Sequence, residues 1–247
     1  GGPGISGACA RLFAGEGMRV AIAQRRPEKP EIREIVEATA GAVRAYRCDV
    51  VDAASVAQLF ADVTADMGAP NIVVFNPSAR VRGPVSELDA EGVKQALLTT
   101  AYGGFLVGQQ AARQMAGRGS GSILFTGASA SYKGYALSSS FAMGKFGLHG
   151  LAQSMARELG PRGVHVAHFP IDGGVGTVDY RTGVKSSHWS RYQAVSTSTD
   201  YKRGDGEDSA DTMLSPVAIA EAYLFVHRQH RSAWTFEMQL RPWAETW

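Results

Sequence analysis

Strand-sized apolar runs and helix-length stretches take turns along almost the whole chain, and this alternation constrains the fold more than any single motif. Ile5, Ala8, Cys9, Leu12 and Phe13 fall at helical spacing, and Gly15 and Gly17 end the run. Met18 to Ala23 follows as a nearly continuous apolar strand, of the kind buried on both faces. A helix is expected over Glu28 to Ala40 and a strand over Ala42 to Arg47. Asp52 then caps a helix with Val56, Leu59, Phe60, Val63 and Met67 on one stripe. Asn71 to Phe75 reads as a further buried strand. A long helix over Asp89 to Met115, a strand over Ser122 to Thr126 and a helix over Phe141 to Leu159 continue the pattern. Gly160-Pro161 stops that helix, and Val164 to Phe169 is the next strand. Pro216 sits in the first turn of one more helix, and Trp234, Phe236, Met238 and Leu240 alternate as a last strand. Such a sequence predicts an α/β protein: a Rossmann-type, doubly wound parallel sheet with helices on both faces.

A chain of 247 residues can build such a sheet as one domain. Its formal charge of +2 is nearly balanced, which points away from nucleic acid or a membrane surface as partner. No apolar run approaches the ~20 residues that a membrane helix needs. Cys9 and Cys48 suit small buried fillers rather than a disulfide framework, so a reducing, cytoplasmic setting is expected. Lys185 to Asp211 is rich in Ser, Thr, Asp and Gly; the segment over 178–213 reads either as a substrate loop or as disorder. Trp189, Tyr192 and Tyr201 would line a pocket in the first case. His165 and His168 stand three apart on a strand and face opposite ways. With no Cys/His cluster elsewhere, no metal site is expected.

A pyrophosphate needs close backbone approach, exposed N–H groups and the positive end of a helix. Gly2 and Gly4, ahead of the helix at Ile5, offer all three if a strand leads into them. One strand of about 5–6 residues is therefore expected upstream of Gly1. The next strand ends in Gln24-Arg25-Arg26. An acidic residue there suits a free ribose hydroxyl, whereas Arg25 suits a 2′-phosphate, gripped in bidentate fashion. The site is thus expected to prefer NADP(H), with NAD(H) possible, and residues 1–247 to form a single dinucleotide-binding domain.

With these segments in place, the chain resembles the short-chain dehydrogenase/reductase family over nearly its whole length. Gly2-Pro3-Gly4-Ile5 is similar to the second half of that family's glycine motif, with Ser6 where a third glycine is usual. Cys48-Asp49-Val50 resembles the segment whose aspartate bonds the adenine amino group, and Asn76 falls at the second asparagine of Asn-Asn-Ala-Gly. Asp172 to Thr177 resembles the Pro-Gly segment that holds the nicotinamide, which implies cofactor contacts from Gly173, Val175 and Thr177. The Tyr-x-x-x-Lys signature stands here as Phe141-Ala142-Met143-Gly144-Lys145. Ala128 aligns with the usual serine, with Ser129 beside it, and Thr100 aligns with the family's helix asparagine.

The resemblance implies an NADP(H)-dependent oxidoreductase. It would move hydride to or from a small-molecule carbonyl or alcohol, or an activated C=C bond. Lys145 would anchor the nicotinamide ribose, but phenylalanine donates no proton, and losing a positioned general acid costs about 10²–10⁴ in rate. Tyr132, Tyr135 or Ser129 could supply the missing proton, or water could protonate an enolate after C=C reduction. The catalytic candidates are therefore Lys145, Ser129, Tyr135 and the Phe141 position. A coenzyme-binding regulatory or scaffold protein without turnover is the second reading. The family also implies a homodimer or homotetramer, built here through Ala101 to Ala116 and Phe141 to Leu159.

Overall fold

The computed structural model describes residues 4–176 and 213–243. Within them, β1 (Val20–Gln24) pairs in parallel with β2 (Val43–Arg47). A second parallel ladder runs β3 (Ile72–Phe75), β4 (Ser122–Thr126), β5 (His165–Phe169), with β4 in the middle. The crossovers are helical: α1 (Ile5–Gly15), α2 (Pro30–Ala38), α3 (Ala53–Met67), α4 (Ala90–Leu97), α5 (Gly103–Ala116), α6 (Ser139–Leu159) and α7 (Pro216–His227). The doubly wound α/β architecture is the one that the alternation predicts.

Two-residue periodicity in β4 divides the core. Ile123 and Phe125 face one way, into a cluster with Phe75, Leu106, Leu148, Met155 and Val166. Leu124 faces the other way, toward Ile5, Phe13, Phe169, Ile219 and Tyr223 on the side of α1 and α7. Every residue of β4 and β5 is buried, as expected for strands covered on both faces. α5 and α6 approach closely because Gly108 faces Met155, whose Sδ would lie 3.0 Å from a Cβ placed there. Asp52 and Asp89 cap α3 and α4 by accepting from the N–H groups of Ala54 (2.9 Å) and Gly92 (2.6 Å).

Three expectations need correction. The predicted helix over Asp89 to Met115 is interrupted by a π turn, Leu98–Tyr102, between α4 and α5. There Thr100 is fully buried and its Oγ1 accepts from the Ala79 N–H at 3.0 Å, a tie beyond the helix that fixes its direction. The first apolar run forms a strand from Val20, not Met18, and only Ile22 within it is buried; among the described residues β1 has β2 as its sole ladder partner. The final strand is reduced to isolated parallel bridges along the free edge of β5. The His168 N–H donates to Phe236 O (2.8 Å), and the Met238 N–H returns a bond to His168 O (3.1 Å). Among the described residues, no helix is long and apolar enough to cross a membrane.

Candidate functional site

Within each ladder the strands run parallel, so their carboxyl ends share one edge, where open α/β sheets place their ligands. Asn76, just past β3, ties this edge to the start of α1: its Nδ2 donates to Ser6 Oγ at 2.9 Å. Gly4 is the N-cap of α1, with no side-chain cap and nothing within 4 Å of where a Cβ would stand. The helix thus offers its uncapped N–H groups to an anion, while Ile5 turns inward to the core. Arg25 is exposed immediately beyond β1. Past β2, the Asp49 N–H donates to Ser55 Oγ (3.0 Å), and its Oδ1 accepts from the Val51 N–H (3.3 Å). Val50 fills the space beside Gly103.

On the far side, Gly173 adopts φ +148°, and Val175 bridges to Leu214. Asp172 pins this segment through an Arg241 ion pair at 2.5 Å. An uncapped helix start, an exposed arginine beyond β1 and a pinned glycine segment fit a nicotinamide dinucleotide. Gly2, Thr177, Trp189, Tyr192, Tyr201 and nearly all of the 178–213 segment lie outside the described residues.

The expected catalytic residues meet where β4 gives way to α6. Lys145 is buried, and its Nζ donates to Thr126 O, the last carbonyl of β4, at 2.7 Å. Burial lowers its ammonium to about 8. One helical turn back, the Phe141 ring has two cations near it: Lys145 Nζ is 5.8 Å from its centroid and the Arg80 guanidinium carbon 4.9 Å. Arg80 also donates to Ser138 Oγ. Tyr135 and Ser129 come together, the phenol donating to Ser129 Oγ at 2.7 Å. Tyr132 turns away to Glu237; burial first, and then that hydrogen bond, holds its phenol well above the usual range. Thr100 is committed to the Ala79 backbone, and the Ala128 N–H donates to Ser131 Oγ at 3.3 Å.

Sequence reasoning missed two features. Arg80 belongs to none of the segments that carry the resemblance. The second is a polar cluster behind the Ser129 turn. His165 does face the opposite side of the sheet, stacked on Trp234. His168, however, meets His149 and Glu237, with ligand atoms all within 4.8 Å of one another. His149 lies one turn beyond Lys145 on α6, and Glu237 is brought in by the bridge beside His168. That spacing on α6 was the available signal.

Glu237 Oε2 lies 3.0 Å from His168 Nδ1 and 3.1 Å from His149 Nε2, and His168 Nε2 lies 3.3 Å from Ser131 Oγ. The two imidazoles are stacked, with centroids 4.5 Å apart and planes 17° apart. A metal ion bound through both rings would have to lie in both ring planes, which stacked rings do not share. The arrangement suits a carboxylate bonded to two rings. Burial, more than any neighbour, lowers His168 to about 4 and keeps it neutral.

Comparison with known proteins agrees with this geometry. Residues 2–215 match the family model described as enoyl-(acyl carrier protein) reductase. An uncharacterized short-chain type dehydrogenase/reductase of Sinorhizobium fredii is 30% identical over 227 residues, 90% of this chain and 88% of that protein. A D-threitol dehydrogenase of Mycolicibacterium smegmatis is 30% identical over 164 residues, but the match spans only 63% of its length and 66% of this chain. Among solved structures, a short-chain dehydrogenase from Rhodopseudomonas palustris superposes with a TM-score of 0.74 at 33% identity, covering 98% of this chain and 96% of its own. A metagenomic short-chain oxidoreductase, solved in complex with NADP, shares the fold with a TM-score of 0.75 at 20% identity, covering 98% of this chain and 93% of its own. The strand ends, the buried lysine of α6 bonded to the last carbonyl of β4 and these matches lead to one assignment: the chain belongs to the short-chain dehydrogenase/reductase family.

Proposed function

We propose that the protein is an NADP(H)-dependent oxidoreductase acting on a small-molecule carbonyl or alcohol, or on an activated C=C bond. Its proton passes through Tyr135 and Ser129 rather than through a tyrosine at position 141. The observation that carries this reading is the hydrogen-bonded Tyr135–Ser129 pair, on the loop that links the end of β4 to the helix of buried Lys145.

The coenzyme, when bound, supplies or accepts the hydride. Gly2, Gly4 and Ile5 would hold its diphosphate, Arg25 the 2′-phosphate and Asp49 the adenine amino group. Val50 and Asn76 would flank it, and Gly173, Val175 and Thr177 would hold the nicotinamide end. Lys145 would bond the nicotinamide ribose with donors that Thr126 O does not use. Phe141 keeps the position apolar and gives no proton. Because Ser129 Oγ accepts the Tyr135 proton, the serine O–H is free to donate to a substrate oxygen. As it does so, the tyrosine proton replaces the one given up, and solvent reprotonates the exposed phenol. The structure of the metagenomic oxidoreductase with NADP supports the choice of coenzyme, as does Arg25.

The same reading extends to assembly and location. Tyr102, Phe105, Met143 and Phe146 are exposed on α5, α6 and the π turn before α5, which supports pairing with a second copy into a homodimer or homotetramer. The free, buried Cys9 and Cys48 support a reducing, cytoplasmic compartment.

Removing either hydroxyl tests the proton path. Ser129→Ala and Tyr135→Phe should each lower kcat by about 10²–10⁴ while leaving NADPH affinity nearly unchanged. Full kcat in both variants would remove the pair from the mechanism. NADPH binding without oxidation across ketones and enones would replace turnover by a coenzyme-binding role.

A further inference from the structure

We propose that Arg80 is the substrate-binding cation of this site, and that the substrate carries a carboxylate close to its reacting carbonyl or C=C bond. The proposal rests on the oxidoreductase reading and names its substrate class.

Arg80 is anchored without being neutralised. It donates to Ser138 Oγ and lies over the Phe141 ring, 4.9 Å from the centroid. Both partners are uncharged, and they engage only part of a guanidinium that has five donors. Arg11, Arg44, Arg228 and Arg241 all find carboxylates. Among the described residues, no carboxylate lies within ion-pair distance of Arg80, Arg82, Lys133 or Lys145.

These cations nevertheless converge on the proton-delivery side of the crevice. Lys133 lies over the Tyr135 ring at 5.5 Å and Lys145 near Phe141 at 5.8 Å. Burial first, and then repulsion from Arg82, lowers the pKa of Arg80. Arg80, Arg82 and Lys133 are exposed while Lys145 is buried, and positive charge gathered on this side without an acidic partner favours an anion there. Arg80's contacts belong to the loop and first turn of α6, not to α1 or β1, where the coenzyme phosphates would sit. The anion is therefore assigned to the substrate. A planar, fixed fork suits a carboxylate, and the Ser138 bond holds its orientation.

The test compares a short oxo acid with its neutral isostere. 3-Oxohexanoate and its methyl ester would be titrated calorimetrically into the full chain, with and without saturating NADPH. The acid should bind about tenfold tighter or better. Arg80→Ala should erase that preference, Arg80→Lys should keep part of it, and neither should change NADPH affinity. Equal binding of acid and ester overturns the proposal, as does failure of the acid to bind. So does a preference that survives Arg80→Ala, or a loss of NADPH affinity in that variant. If the wild-type chain fails to bind NADPH, the oxidoreductase reading falls instead, and the titration without coenzyme still decides the role of Arg80.

Discussion

Lys145 shows how one side chain sets function against stability. Its ammonium is buried, and burial lowers it to about 8 against an ordinary 10.5. In the free protein this charge is a cost of up to roughly 3 kcal/mol at neutral pH, offset in part by the bond to Thr126 O. Lys145→Met removes the charge at similar volume. It should raise stability by about 1–2 kcal/mol in a urea titration while abolishing coenzyme affinity. A destabilised Lys145→Met would mean that the Thr126 bond outweighs desolvation. The sequence pattern located this lysine because its spacing from Phe141 follows a motif. Arg80 escaped because its role depends on a cation–ring stack and a serine distant in sequence, and neither has a fixed spacing.

Among the elements, helices and strands were readable wherever period and caps agreed. Ser122–Thr126 matches its apolar run, and Asp52 and Pro216 mark the starts of their helices as caps and first-turn prolines should. The π turn at Leu98–Tyr102 was not readable, because the bond from the Ala79 N–H to Thr100 is long-range and the local pattern stays helical. The last strand frays into bridges for a related reason: alternation shows which face is apolar but not how many ladder bonds form. Between β4 and the Ser129 turn lies Gly127, where a Cβ would overlap the His168 ring. That ring is fixed between Glu237 and Ser131. Gly127→Ala should therefore cost about 1–3 kcal/mol by overpacking and lower kcat by displacing Ser129. Wild-type stability and turnover in that variant would show that the turn moves freely.

Across the whole molecule, stability should depend on acid pH through the buried polar cluster. An unfolded histidine takes up a proton below about 6.5, but folded His168 does so only at about 4. Between those values the unfolded chain binds more protons, so stability falls as pH drops from about 6.5 to 4, by roughly 3 kcal/mol at most. Glu237 acts in the same direction. Burial pushes its carboxyl up, but hydrogen bonds from Tyr132 and His168 outweigh that and leave it lowered. Its stabilisation is then lost as pH falls through its folded value. His168→Gln should flatten the stability–pH profile over this range in denaturant titrations; an unchanged slope would assign the loss elsewhere.

The same sheet that buries this cluster presents its strand ends to a dinucleotide, and on that placement the whole account rests. Isothermal titration of the purified chain with NADPH and NADH tests it most directly. The account predicts one saturable site that binds NADPH more tightly than NADH, with the difference lost in Arg25→Ala. A chain that binds neither coenzyme would contradict it.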